Sequence, residues 1–400
     1  MQFEISQGGT LINILVLSSF FAPAWAYGGP PKLLYDISKR LVERGHRVTV
    51  FTTNAFEADR VIQKRNDVLE GIDVRYLKNL SNWLAWNQKI FLPLELRNVL
   101  RNEMQDFDCA IFQGFRNYPN FLGYRQAKKT KVPYILLPYG QLQKAKGTKK
   151  LVKHVFDLSF GYDILNNASR LIAQNFHEKE ESLRLGVPEK KVDVIPLGID
   201  MREFRDLPEK GILRSKIGAE DGEVVLFLGR IHRYKGLDVL LQALSALRRK
   251  HNFRFVIVGR DDGYLSSLNK LISSLGMNGI TSFLGPLYGR DRISAYVDAD
   301  VFVLCSSIYE ETPLAALEAC AAGTPVIVTK QASIPWLQEY EAGLTVDCNV
   351  HAVKDALGLL LGNDDFRRKS GRNARKLIED KFDWNKVIVL FEKTLQDIVS

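Results

Sequence analysis

Residues 306–325 read SSIYEETPLAALEACAAGTP. Just before them, 300–304 (DVFVL) is a short apolar run of β-branched and aromatic type, the composition of a buried strand. Thr312 is placed to cap a helix, with Pro313 at its first position, where a missing N–H costs nothing. Residues 314–322 are strong helix formers, and Gly323, Thr324 and Pro325 stop them ahead of a second strand at 326–328. The order is strand, loop, helix start, strand. Such a helix start offers backbone donors and a positive dipole end to an anion such as phosphate.

Glu310 in the loop and Glu318 in the second helical turn bracket that start, with seven residues between them. Two carboxylates repel a phosphate unless they face something else, and sugar or ribose hydroxyls are natural partners because one carboxylate accepts two of them. An arbitrary pair of this kind is a solvated loop acid and a helix-surface acid. Here Glu318 lies among Leu314, Ala315, Ala316, Leu317, Ala319 and Ala321, and an acid in that setting needs a partner.

Upstream, 226–228 (LFL) runs into Gly229 and Arg230, and after four residues Lys235 and Gly236 open a helix at 237–241 (LDVLL). Arg presents a planar fork and Lys a mobile point charge, both at the carboxyl end of a strand, so the pair can neutralise a diphosphate. Strands at 224–228, 253–258, 280–283, 301–304, 326–328 and 344–346 alternate with helices at 237–250, 264–275, 290–297 and 313–322. The first half repeats the alternation. It has a strand at 12–17 (INILVL), a loop ending in Gly28 and Gly29, and a helix at 32–44 closed by Gly45. Strands follow at 47–52, 109–113, 134–137, 170–173 and 192–195, with helices at 149–167 and 177–185. This is an α/β chain with two doubly wound parallel sheets, and ligands of such sheets sit beyond the carboxyl ends of the strands, implying a cleft between facing halves. The opening lacks G-x-G-x-x-G, so a dinucleotide fingerprint is absent.

Four hundred residues suffice for two or three domains, and the 46% hydrophobic and 25% charged fractions are those of a globular enzyme. Cys109, Cys305, Cys320 and Cys348 have no paired spacing, which points to reduced thiols in a cytoplasmic protein. Residues 1–200 hold 28 Lys+Arg against 20 Asp+Glu, whereas 201–400 hold 27 against 26, so +8 of the net charge of +9 belongs to the first half. Between Asp108 and Asp157 there is no acid, while Arg116, Arg125, Lys128, Lys129, Lys131, Lys144, Lys146, Lys149, Lys150 and Lys153 all fall there. Such a field attracts an anionic membrane surface, a diphosphate-bearing acceptor or nucleic acid, or is simply a solvated basic face. Residues 11–27 are apolar and end in an Ala-Trp-Ala site, but Glu4 is the only charge before Lys32. Without a basic n-region, neither a cleaved signal nor an anchor is expected. The apolar residues of 80–105 are read as a surface helix covering the core, with a lipid or acceptor contact as the other reading.

The motifs GR-x4-KG (Gly229, Arg230, Lys235, Gly236) and E-x7-E (Glu310, Glu318) followed by GTPV resemble the retaining, nucleotide-sugar-dependent glycosyltransferases of family 4. The first strand, loop, glycine pair and helix, and 196–200 (PLGID), are similar to the same family. The resemblance covers 12–399 and implies the GT-B architecture, two Rossmann-like domains facing across a cleft. It implies a disordered leader at 1–10, an acceptor-side domain at 11–205 and a nucleotide-sugar domain at 206–382. A crossover helix at 383–400 is expected to pack back toward the first domain. By the same resemblance, Arg230 and Lys235 bind the donor diphosphate, Glu318 the ribose and Glu310 the hydroxyls of the transferred sugar. Thr312 keeps the helix start, backbone N–H groups of Leu314 and Ala315 face sugar or phosphate, and Gly28, Gly29 and Gly229 let backbone approach the donor. No metal and no cofactor are implied beyond a UDP- or GDP-sugar, and the acceptor is a glycan or a polyprenyl or other lipid-linked molecule.

Three positions depart from the family pattern: Tyr139 where Pro-His-Gly is common and the His contacts the sugar, Leu197 where Asn is usual, and Thr312-Pro313 where Phe-Gly is usual. Asp298-Ala-Asp300 imitates a D-x-D metal site at a helix-to-strand junction, and the six His show no ligand spacing. Two rival functions are a nucleotide-sugar 2-epimerase of the same architecture and a non-catalytic nucleic-acid binder. The latter has no use for two acids beside the cations, and no nucleic-acid module is recognisable.

Overall fold

The computed structural model describes residues 11–400 apart from 28, 143–153 and 311. The expected leader, Gly28 and the basic residues Lys144 to Lys153 lie outside the described residues. The chain divides into two compact units, one ending at Pro196 and taking in Val387–Ser400, the other formed by Leu197–Lys386.

The first unit is built on an eight-stranded sheet of β1 (Asn13–Leu17), β2 (Arg47–Thr53), β3 (Asn66–Leu69), β4 (Ile72–Leu77), β5 (Cys109–Gln113), β6 (Tyr134–Leu137), β7 (Arg170–Ala173) and β8 (Val192–Val194), in the order β3-β4-β2-β1-β5-β6-β7-β8. Its central strands are unbroken apolar runs, because helices cover both faces of a parallel sheet; every residue of β5 and β6 is buried. Only β3 runs antiparallel, against β4. That hairpin is absent from the sequence reading. Its two-residue turn is Glu70-Gly71, both with positive φ (48° and 82°), a mirror-type turn that matches strand twist. Strand direction of travel reverses between β1 and β5.

The second unit has six parallel strands, β9 (Glu223–Leu228), β10 (Phe253–Val258), β11 (Thr281–Phe283), β12 (Val301–Leu304), β13 (Val326–Thr329) and β14 (Gly343–Val346), ordered β11-β10-β9-β12-β13-β14. Here the reversal falls between β9 and β12. Helices Leu237–Leu247, Leu265–Ser274, Gly289–Asp298 and Leu314–Ala321 connect these strands, and one hydrophobic core runs through them.

The chain leaves the first unit after Pro196 and returns after Lys386. Ile199 N donates to Phe382 O (2.6 Å) and Trp384 N to Ile199 O (3.2 Å). Gly198 packs so closely on the Trp384 indole that a Cβ would overlap it. Beyond Val387 the terminal helix Trp384–Val399 belongs to the first unit, where Glu392 accepts from Arg44 Nε (2.7 Å) and pairs with His46 Nε2 (2.9 Å). The 80–105 segment is not a single helix. It is a π-helical turn, Leu84–Gln88, followed by the helix Leu96–Glu103, and Leu80, Trp83 and Leu94 are exposed rather than covering the core.

Candidate functional site

Where β9 and β12 lie side by side, the loops leaving their carboxyl ends converge. After β9 come Gly229, Arg230 and the short turn Arg233–Lys235, which His232 caps by accepting from Tyr234 N (3.2 Å). Gly236 then adopts φ 66° and lies against the Cys305 carbonyl, where any Cβ would overlap that oxygen. The loop after β12 bonds to the same turn: Ser307 N donates to Tyr234 O (2.8 Å) and Ser306 Oγ also reaches it (3.3 Å). This zipping sets Lys235 Nζ 2.8 Å from both Glu310 oxygens, with the two side chains 13% and 14% exposed. Gln331 O holds the Glu310 N–H (2.8 Å).

Arg230 sits at the outer edge of this cluster. Its guanidinium donates to Asp262 Oδ2 (2.8 Å) and to the Tyr234 hydroxyl. Arg230 lies 5.6 Å and Lys235 5.4 Å from the centre of the Tyr234 ring, so the ring is shared by two cations. Burial raises the Tyr234 hydroxyl above its ordinary value. Tyr234 and Asp262 are not among the residues singled out from sequence. The β9–β10 register pairs Leu228 with Val258, so Gly229 and Gly259 follow side by side and bring Asp262 to the same edge. Reading the end of the neighbouring strand is the signal that would have found it.

Glu318 belongs to a second cluster. Its carboxylate accepts from Tyr296 OH (2.9 Å) and lies 3.4 Å from Arg292, whose other nitrogen binds Glu203 (2.8 Å). Burial raises the Glu318 carboxyl, and Arg292 and Tyr296 act in the opposite direction. Among the described residues no hydrogen bond or ion pair joins Glu318 to Arg230 or Lys235. The helix start differs from expectation by one residue. Pro313, not Thr312, occupies the cap position and no side chain caps it. Leu314 N donates back to Thr312 O (2.9 Å), which occupies the N–H expected to face a ligand, while Ala315 is half-buried.

In the first unit, Tyr139 follows β6 in the left-handed region (φ 50°), as does Gly140 (φ 70°). The buried Glu178 carboxylate holds this turn, accepting from Gly140 N (2.7 Å) and Gln174 N (2.9 Å). Burial raises the Glu178 carboxyl, against the pull of those two donors. Tyr139 lines a cavity of about 670 Å³ at the β1/β5 reversal, while its hydroxyl is buried without a hydrogen-bond partner. Phe20, Tyr27, Phe91 and Phe156 give that cavity its apolar wall, and Arg116, Gln113 and Gln141 its polar one. Gly29 opens the helix Gly29–Glu43 with free space where a Cβ would go.

Other motifs have structural work. Asp298 is buried and accepts from the N–H groups of Gly211, Leu213 and Arg214 (2.5, 2.5 and 3.2 Å), and Asp300 binds Val224 N (2.8 Å) and Arg214. These bonds commit both D-x-D carboxylates to the amino ends of the central strands β9 and β12. Among the described residues no group of three metal-type side chains gathers, and all four cysteines are free thiols. Arg116 is locked to Asp157 (2.7 and 2.8 Å), so it does not contribute an open cation to the basic stretch. Among the described residues no helix is long and apolar enough to cross a membrane.

Comparison with known proteins adds to this geometry. Residues 27–203 match the family described as Glycosyltransferase Family 4, and 209–377 match Glycosyl transferases group 1. An uncharacterised glycosyltransferase of Methanocaldococcus jannaschii is 34% identical over 216 residues, 52% of this chain and 55% of that protein. The D-inositol 3-phosphate glycosyltransferase of Nocardia farcinica is 32% identical over 222 residues, 53% and 49% of the two chains. The chain thus spans about half the length of the curated relatives it matches. Among solved structures, Anabaena HepE in complex with UDP and glucose superposes with a TM-score of 0.74 at 19% identity, covering 96% of this chain and all of that one (100%). Sucrose-phosphate synthase from Thermosynechococcus elongatus gives 0.78 at 19%, covering 96% and 98%. At such identities the likeness is one of fold.

Proposed function

We propose a function for a chain that belongs to the family 4, group 1 glycosyltransferases: it moves a sugar from a UDP- or GDP-sugar to a glycan or lipid-linked acceptor, with retention of anomeric configuration. The observation that carries this reading is the Lys235–Glu310 pair at the β9/β12 reversal, with Arg230 beside it. A cation and an acid in contact suit a ligand that brings phosphate and hydroxyls to the same spot. The diphosphate takes Lys235 and Arg230, and the freed Glu310 oxygens accept hydroxyls of the sugar. In this proposal the bond from the anomeric carbon to the phosphate breaks as the acceptor oxygen bonds the same face. The electron pair leaves with the diphosphate, and the acceptor proton passes to a departing phosphate oxygen. Stabilisation of that leaving charge falls to Arg230 and Lys235 rather than to a metal. Glu318 is assigned the ribose and Tyr139 the acceptor or sugar side. A fold neighbour solved with UDP and glucose supports the choice of donor class.

The test incubates the protein with a panel of UDP- and GDP-sugars, following nucleotide release and the thermal stabilisation given by UDP and GDP. A nucleotide at 100 times its Kd should add about 2.7 kcal/mol of stability. Failure of every nucleotide to stabilise the fold would overturn the reading. Conversion of a UDP-sugar into its epimer without any acceptor would replace it with the epimerase.

A further inference from the structure

The loop that walls one side of the Tyr139 cavity has an outer face as well as an inner one. Asn79 and Pro93 pair across its base, Leu80 N donates to Leu92 O (3.1 Å), and Leu92 N donates to Asn79 Oδ1 (2.6 Å). Residues 79–93 are therefore a closed, self-packed loop. Inward, Ala85 and Phe91 form a small cluster with Ala55, Phe20 and Tyr27, separate from the main core of the unit. Outward, Leu80, Trp83 and the adjoining Leu94 are 58%, 62% and 60% exposed, while Ile90 and Lys89 line the mouth of the cavity. Single exposed apolar residues are ordinary, but three large ones within fifteen residues make a patch.

Within residues 78–102 cations outnumber acids, although Asn82 Nδ2 also donates to the backbone of Glu57 and Ala58, next to the exposed Asp59. Residues 78–102 contain Lys78, Lys89, Arg97 and Arg101 against a single acid, Glu95, and that acid is bound by Arg65. Among the described residues none of the four cations has an ion pair. Lys89 lies over the Tyr27 and Trp86 rings at 4.8 and 4.7 Å, while Lys78, Arg97 and Arg101 are exposed.

We propose that the outer face of the 79–93 loop docks on an anionic lipid surface. Trp83, Leu80 and Leu94 enter the head-group boundary, and Lys78, Arg97 and Arg101 meet the lipid charge. A Trp ring suits the interfacial zone, Leu suits the acyl boundary, and a surplus of cations without ion pairs suits anionic head groups. The inference stands apart from the transfer reading, because vesicle binding is read without turnover.

The full chain is sedimented with vesicles of equal parts phosphatidylcholine and phosphatidylglycerol, or of phosphatidylcholine alone, at low and high salt. Binding is expected on the anionic vesicles, about tenfold weaker without phosphatidylglycerol, and weakened by salt. Trp83→Ser/Leu94→Ser and Arg97→Glu/Arg101→Glu should each lower partition about tenfold or more with unchanged thermal melting, since all four side chains are exposed. Brominated lipid should quench the tryptophan emission, and Trp83→Phe should remove much of that response. Absence of vesicle binding, or binding undiminished in the loop variant, overturns the proposal. Dimerisation lost in the loop variant with no vesicle binding overturns it in favour of a second copy of the chain.

Discussion

Lys235 and Glu310, 75 residues apart in the chain, share a two-pronged ion pair at 2.8 Å to each oxygen in a largely buried setting. Removing either partner strands a charge. Lys235→Ala should cost about 1–3 kcal/mol of stability and lower donor turnover by about a hundredfold or more. The double variant Lys235→Ala/Glu310→Ala should be less destabilised than the two singles together, by about 1 kcal/mol. Urea denaturation and a donor-turnover assay check both statements; additive losses would show that the pair is not coupled.

Arg230 contrasts with Lys235, being 49% exposed and paired to a part-exposed Asp262. Arg230→Ala should leave stability within about 0.5 kcal/mol. Its cost should appear in ligand binding, as a loss of about tenfold or more in UDP or GDP affinity measured by calorimetry.

Gly236→Ala is a change of one methyl group at a left-handed residue pressed against a carbonyl. It should destabilise the second unit by about 2 kcal/mol or more, read as a shifted urea midpoint. An unshifted midpoint would mean that the two loops are not in contact.

Glu318 sets a pH dependence. Burial raises its carboxyl above the ordinary 4.5, so the folded chain keeps a proton that the unfolded chain has released. Stability from this group therefore falls as pH rises from about 4.5 through the folded value. Glu318→Gln should flatten that decline relative to the parent protein, measured as urea midpoints between acid and neutral pH. Glu178 shifts in the same direction, which is why the comparison is between variant and parent.

Tyr139→Phe removes a buried hydroxyl that has no partner. The fold should be unharmed or gain about 1 kcal/mol. Where ligand binding in the 670 Å³ cavity turns this hydroxyl toward the ligand, binding or turnover should fall about tenfold in the same variant. Unchanged turnover would remove Tyr139 from the site.

Much of the fold is legible because parallel strands are covered on both faces. CAIFQ at β5, YILL at β6 and VFVL at β12 are uninterrupted apolar runs, and each is a fully buried strand. The β3–β4 hairpin escaped for the opposite reason. Its strands alternate with exposed Asn66, Val68 and Asp73, and a non-glycine residue, Glu70, takes a left-handed turn position. At the site, Lys235 and Glu310 are found by pattern, whereas Asp262, Tyr234, Arg292 and Tyr296 are not. Their partnerships depend on strand order and register, which place the end of β10 beside the end of β9, and no local spacing encodes that. Asp298-Ala-Asp300 shows the converse: a motif whose spacing suggests chemistry, spent on four backbone donors and a guanidinium.

The seat of Gly236 on the Cys305 carbonyl also bears on how this chain can be re-engineered. Because no side chain fits between them, residues 229–236 and 305–310 behave as one transplantable cassette. Exchanging donor preference with a relative by grafting only one of the two segments would import a mismatched neighbour, so chimaeras should swap both together.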